Sequence, residues 1–133
     1  MDMAGICAKD IMNTEVKTVE RETSLVDAAR MLRDGRVSSL VVERREEHDA
    51  FGIITRKDVV EVLSSLDTEG IPVLVEDVMT KPAITVAPEL ALVDCIQLMR
   101  MVGVRRLPVV DGSGLVGILS NTDVFHHLTS AIA

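Results

Sequence analysis

Apolar residues recur at helical spacing along two stretches of the chain. Leu25, Ala28, Ala29 and Leu32 follow Ser24, a residue suited to cap a helix, and Gly35 stands where a stop is expected. Leu92, Cys95, Ile96 and Met99 form the matching face of a second helix, with Gly103 as its stop. An extended piece precedes each helix, at Val16 to Val19 and at Ile84 to Val86, and Pro82 and Pro88 fit extended or turn structure around the latter. Two short strands follow each helix. They are Ser39 to Glu43 and Phe51 to Ile54, then Leu107 to Val110 and Leu115 to Leu119 around the turn Asp111-Gly112-Ser113-Gly114. Final helices are predicted over Val59 to Leu66 and over Val124 to about Ser130.

This order repeats because the sequence repeats. A shift of 67 brings Asp10 onto Asp77, Met12 onto Met79, Leu25-Val26-Asp27 onto Leu92-Val93-Asp94, and Leu40 and Val42 onto Leu107 and Val109. Beyond the loop Glu43 to Ala50 the shift becomes 65, and Gly52-Ile53 meets Gly117-Ile118 while Asp58-Val59 meets Asp123-Val124. A change of two places inside a mixed-charge loop marks a surface insertion, and that loop reads as a solvated tip. A unit of about sixty residues buries little surface alone. The expected fold is therefore α+β, two βαββα repeats packed sheet to sheet with pseudo-two-fold symmetry. The repeats are expected at 9–66 and 76–131, joined by Asp67 to Glu76. Within that joint, Ile71-Pro72-Val73-Leu74-Val75 is apolar enough to pack on the core or to join a subunit interface.

Composition narrows the function. Fourteen basic against 21 acidic residues give a net charge of −7, which argues against a nucleic-acid backbone as the main partner. Phe51 and Phe125 are the only aromatic residues, which nearly rules out base-stacking platforms for single strands. Val, Leu, Ile, Met and Ala must build the core, and Met31, Met99 and Met101 read as gap-fillers. No apolar run reaches the ~18 residues of a membrane span, and the first residues lack a signal-peptide layout, so a soluble cytoplasmic protein is expected. Cys7 and Cys95 imply no disulfide framework, and Cys95 reads as a buried free thiol. His48, His126 and His127 have no metal-ligand spacing, and no nucleophile–His pair or phosphate-binding loop is visible. An enzyme is not expected.

Candidate chemistry sits after the last strand of each repeat, in Gly52-Ile53-Ile54-Thr55-Arg56-Lys57-Asp58 and Gly117-Ile118-Leu119-Ser120-Asn121-Thr122-Asp123. A hydroxyl closes the strand and an Asp stands three places on. One reading is a helix cap worth about 1 kcal/mol. The other is a ligand site, in which helix amides and the hydroxyl meet an anion while the carboxylate accepts from sugar hydroxyls. Caps are so common that the residues alone favour the first by roughly two to one.

The two copies resemble CBS domains, the module named after cystathionine β-synthase, in the tandem arrangement of a Bateman module. The resemblance covers about residues 9 to 130. It is carried by Asp10-Ile11-Met12 and Asp77-Val78-Met79, by Val104-Arg105-Arg106-Leu107-Pro108-Val109-Val110-Asp111, and by Gly-Ile-x-Thr/Ser-x-x-Asp in both copies. It implies clefts between the copies that take adenosine compounds such as AMP, ADP, ATP or S-adenosylmethionine, with no cofactor required. One cleft would combine Met12, Val16 and Lys17 with Ser120, Thr122 and Asp123, approached by Val37, Ser38 and Arg105. The other would combine Met79, Ala83 and Ile84 with Thr55, Lys57 and Asp58. The resemblance further implies a ligand-sensing regulatory module that signals through a homodimer or a partner protein, the dimer resting on outer helices (Val59, Val62, Leu63, Leu66; Val124, Leu128). The copies differ, since Ser38-Ser39-Leu40-Val41 stands where the second has Arg105-Arg106-Leu107-Pro108. Serine cannot neutralise a phosphate, so unequal clefts are expected. Arg105-Arg106 also fits a solvated strand start. The competing reading is a structural or dimerisation module with non-functional clefts.

Overall fold

The computed structural model describes residues 3–65 and 72–132. The fold is mixed α+β and divides into two compact units. One holds residues 17–65 and 72–83, the other residues 3–16 and 84–132.

The first unit carries a three-stranded sheet. Strand β1 (Thr18–Val19) runs parallel to β2 (Ser39–Val42), which pairs antiparallel with β3 (Gly52–Thr55) in the register Leu40↔Ile54. Helix α2 (Leu25–Gly35) connects β1 to β2, α3 (Arg56–Leu63) follows β3, and a single turn, α4 (Val75–Val78), closes the unit. The second unit repeats this plan. Its β4 (Arg106–Asp111) and β5 (Gly114–Ser120) form an antiparallel hairpin between α5 (Leu92–Val102) and α6 (Asn121–Ser130). Val86 pairs in parallel with Val109, as Val19 does with Val42 in the first unit. The hairpin turn is set by Asp111, whose Oδ1 accepts from the Ser113 amide at 2.8 Å and its hydroxyl at 2.6 Å. These bonds hold the Asp111 carboxyl below the usual carboxylate range.

Among the described residues, a cluster of nine buried residues centres each unit's core, and the two sets are equivalent position by position. Val19, Leu25, Ala28, Leu32, Leu40, Val42, Ile54, Val59 and Val75 line the first. Val86, Leu92, Cys95, Met99, Leu107, Val109, Leu119, Val124 and Ala8 line the second. The last pair has a topological consequence. Ala8 lies on the short helix α1 (Ala8–Ile11), at the leading edge of the first repeat in sequence, yet it is buried in the core that the second repeat supplies. Val75, at the leading edge of the second repeat, is buried in the core of the first. Backbone bonds fix both segments. Ala8 N donates to Leu90 O at 2.9 Å, and Asn13 and Ile118 exchange a pair of bonds. Val75 N donates to Thr23 O at 2.8 Å, and Thr80 and Ile53 exchange the matching pair. The leading segment of each repeat therefore completes the other repeat's unit.

Several sequence expectations need adjustment. Helices α3 and α6 begin at Arg56 and Asn121, three residues before the predicted Val59 and Val124, because Thr55 and Ser120 cap them. The predicted end at Leu66, the homodimer residue at the same position, Ile71 and the stretch from Asp67 lie outside the described residues. Val73 and Val75 pack on the core, the first of the two roles expected for that segment. Met99 fills the core, but Met31 and Met101 are exposed, Met101 by 77%, and fill no gap. Val59 and Val124 are buried in their own units, so neither faces a partner. The charged loop is tied down at one end, where Lys81 Nζ donates to Asp49 at 2.8–2.9 Å. Cys95 is fully buried, and burial pushes its thiol pKa up.

Gly35 is not the stop of α2 but its last residue. Arg36 takes the left-handed cap, φ 52°, where the equivalent Gly103 has φ 77°. A side chain in that conformation costs about 1 kcal/mol, because its Cβ crowds the following carbonyl. Arg36→Gly is expected to raise the unfolding free energy by about 1 kcal/mol in a chemical denaturation experiment. A destabilised variant would contradict this account of the cap.

Candidate functional site

Both strand-to-helix junctions are built alike. Thr55 ends β3, and its Oγ1 accepts from the Asp58 amide at 3.2 Å while Asp58 Oδ2 accepts from the Thr55 amide at 2.9 Å. In the second unit Ser120 Oγ accepts from the Asp123 amide at 3.1 Å, and Asp123 Oδ2 accepts from the Ser120 amide at 3.2 Å and its hydroxyl at 2.7 Å. These are reciprocal capping boxes. The first helical amide is also engaged, since Arg56 N donates to Ser38 O and Asn121 N donates to Arg105 O. The next amides, of Lys57 and Thr122, take part in none of these bonds. They sit where a helix presents its partial positive charge. Each carboxylate has engaged one oxygen and, with about four lone-pair sites in all, retains acceptor capacity.

The glycine that opens each motif has a packing reason. A Cβ at Gly117 would collide with Met12 Sδ, lie 2.8 Å from Met12 Cγ and 3.1 Å from Asn13 O. At Gly52 it would lie 2.8 Å from Met79 Sδ and 3.2 Å from Val42 Cβ. The Met of each Asp-x-Met motif is thus seated on the glycine of the junction it accompanies. The Asp of that motif is a cap too. Asp10 Oδ2 accepts from Cys7 N, and Asp77 Oδ2 from Leu74 N, both at 2.9 Å. The Cys7 amide holds the Asp10 carboxyl below its ordinary range.

The structure sorts the candidate residues by unit. Met12, Val16, Ile84, Arg105, Ser120, Thr122 and Asp123 belong to one; Lys17, Val37, Ser38, Thr55, Lys57, Asp58, Met79 and Ala83 belong to the other. Ser38 and Arg105 occupy equivalent places, each lending its carbonyl to the helix that follows. Arg105, Lys57, Thr122, Lys17 and Ile84 are exposed, Ala83 is buried, and the remaining candidates are half-buried. Sequence reasoning missed the carbonyls of Ser38 and Arg105 and the glycine seats. The repeated Gly-Ile pair was a signal for the seats; backbone acceptors leave none. Among the described residues no cluster of His, Cys, Asp and Glu is arranged to hold a metal, and no helix is long and apolar enough to cross a membrane.

Known proteins share this fold. The CBS domain family model matches residues 8–65 and 75–130. The CBS domain-containing protein YhcV of Bacillus subtilis is 31% identical over 116 residues, which cover 87% of this chain and 81% of YhcV. Among solved structures, CBSX2 in complex with AMP is 27% identical with a TM-score of 0.77, covering 95% of this chain and 98% of CBSX2. The CBS domain pair of protein MJ0100, in complex with 5′-methylthioadenosine and S-adenosyl-L-methionine, is 25% identical with a TM-score of 0.79, covering 92% of this chain and 99% of that one. The chain spans only 62% and 24% of the lengths of two further curated relatives, at 30% and 35% identity. With both repeats matched and the βαββα plan in each unit, the chain belongs to the CBS domain family.

Proposed function

We propose that the chain is a regulatory module that binds adenosine-containing ligands, of the AMP, ADP, ATP or S-adenosylmethionine kind, and carries out no chemistry on them. The observation that carries this reading is the junction itself. A helix amide, a hydroxyl and a carboxylate with a spare oxygen meet at one point, and they do so twice. The Asp58 and Asp123 carboxylates suit vicinal sugar hydroxyls, which donate. The Lys57 and Thr122 amides and the Lys57 side chain suit the anionic end. Met12, Val16 and Arg105 accompany Ser120, Thr122 and Asp123 in one unit; Met79 and Ala83 accompany Thr55, Lys57 and Asp58 in the other. The AMP complex of CBSX2 and the S-adenosylmethionine complex of MJ0100 support the ligand class.

Binding acts on function by favouring one arrangement of an assembly over another, which requires different affinities for the two. The assembly proposed is a homodimer, the alternative recipient being a separate effector protein. Exposed apolar residues on the last two helices, Phe125 at 61% and Met101, motivate it. Sedimentation at micromolar concentration is expected to show a dimer, and a monomer would remove that part of the proposal.

A second reading, a structural or dimerisation module, has its own support. Asp58 and Asp123 are already used as caps, and a cap needs no ligand. Thermal unfolding with AMP, ATP and S-adenosylmethionine separates the two. A ligand at 100 times its dissociation constant adds about 2.7 kcal/mol to stability. A rise in midpoint with at least one of the three is the expected result; no shift with any favours the structural reading.

A further inference from the structure

Cys7 and Cys95 are the chain's only cysteines, and they are far apart in sequence. The exchange of leading segments brings them to neighbouring places in one unit. Cys7 caps α1 and bridges Ala91, the residue that caps α5. Cys95 stands one helical turn beyond Ala91, and its amide donates to Ala91 O at 3.0 Å. A single carbonyl lies between the two cysteines. Leu90 O accepts from Ala8 N, the amide that follows Cys7, at 2.9 Å and from Cys95 Sγ at 3.9 Å. The pKa of the Cys95 thiol is pushed up by burial first, then by Asp94 and by Cys7 itself, so the two sulfurs lie within electrostatic reach of each other.

The fold does not require sulfur at either place. The equivalent positions of the other unit hold Leu74 and Ala28, which cap the same short helix and fill the same core position. The two thiols also differ in access. Cys95 is fully buried, whereas Cys7 is half-buried. An oxidant therefore meets Cys7 first, with Cys95 behind it. Cys7 Sγ donates to Asp10 Oδ2 at 3.3 Å. Losing that bond leaves the α1 cap in place, because the Cys7 amide donates to the same oxygen at 2.9 Å.

We propose that Cys7 and Cys95 form a reversible disulfide that fastens the leading segment of the first repeat to the second repeat. A small disulfide, oxidised glutathione, supplies the oxidation. The Cys7 thiolate attacks one glutathione sulfur, a Cys7–glutathione bond forms, and one glutathione leaves and takes up a proton. The Cys95 thiolate then attacks Cys7 Sγ, and the second glutathione leaves as a thiol. Two protein thiols are oxidised and one glutathione disulfide is reduced. Partial burial and Asp10 raise the Cys7 thiol pKa as well, so little thiolate is present at neutral pH and the bond forms slowly. The staple lies just ahead of α1, which leads to Met12 on its seat at Gly117. Oxidation therefore holds that seat and leaves the Met79 seat at Gly52 as it was. This inference does not depend on adenosine binding.

Incubation of the full chain with oxidised glutathione, read by intact mass and by peptide mapping without reductant, tests it. The expected product is a single chain lighter by two hydrogens, with Cys7 joined to Cys95, and dithiothreitol is expected to reverse it. Cys95→Ala copies the Ala28 of the other unit, so a folded variant is expected, and it should stop at the glutathione adduct of Cys7. Cys7→Ser should stay unmodified. Repeating the incubation in urea removes the folded geometry, and the internal bond is then expected to be at least about tenfold less favoured against glutathione. An unmodified wild type, an adduct on Cys7 that never closes, a bond between two chains, or closure equally favoured in urea would each overturn the proposal.

Discussion

Leu107→Ala is expected to lower the unfolding free energy by about 3 kcal/mol, and Leu40→Ala by a similar amount. Both leucines are almost completely buried, at equivalent places on β4 and β2, each facing the helix that precedes its strand. Truncation removes three carbon atoms' worth of transfer energy and leaves a cavity that a small, close-packed core fills poorly. A loss of this size is a large share of a domain's total stability. Met101→Ala is the control, since that side chain is mostly in water and its removal is expected to stay within about 0.5 kcal/mol. Urea denaturation reads all three. A Leu107→Ala loss no larger than that of Met101→Ala would contradict the assigned core.

Gly117→Ala is expected to cost about 2 kcal/mol, because the added carbon collides with Met12 and presses on the Asn13 carbonyl. Met12 can swing aside, but only by abandoning its seat beside the β5 backbone, while the carbonyl is held by the paired Asn13–Ile118 bonds. Combining Gly117→Ala with Met12→Ala removes the principal collision. The pair is then expected to be less destabilised than the sum of the single variants, with a coupling of 0.5 kcal/mol or more. Strict additivity would mean that the two residues do not touch. The result matters beyond one glycine, since Met12 lies in the leading segment of the first repeat while Gly117 lies in the second. Coupling between them is the solution signature of the exchanged leading segments.

The repeat, the strand and helix order and most of the core were legible in the sequence, because apolar spacing reports which face is buried. Leu25, Leu40 and Val42 could be set beside Leu92, Leu107 and Val109 without any structure. Three features were not legible. The single-turn helices α1 and α4 are too short for a hydrophobic period, and only the Asp three places after Cys7 and Leu74 hints at them. The left-handed cap at Arg36 was hidden by Gly35, the residue that propensity favours for that role. The exchange of leading segments was not legible from the residues alone, because Ala8 and Val75 stand in equivalent contexts and nothing local says which core each joins; only the family resemblance set Met12 beside Ser120 and Asp123, and Met79 beside Thr55 and Asp58. At the candidate site, Thr55, Asp58, Ser120 and Asp123 were readable as caps or as ligand groups, and the structure adds the bonds of the cap. The amides of Lys57 and Thr122 became meaningful only once their neighbours' partners were known.

Calorimetry of AMP binding to the wild type and to Asp58→Asn/Asp123→Asn tests the central claim most directly. Asparagine keeps one carbonyl oxygen to accept from the Thr55 and Ser120 amides, so each cap persists with a loss of less than about 1 kcal/mol. Its second atom is a donor instead of an acceptor, and the vicinal hydroxyls of a ribose are left without their partner. The account predicts measurable AMP binding by the wild type and an affinity at least tenfold weaker in a folded variant. No heat of binding in the wild type, or equal affinity in both proteins, would contradict it.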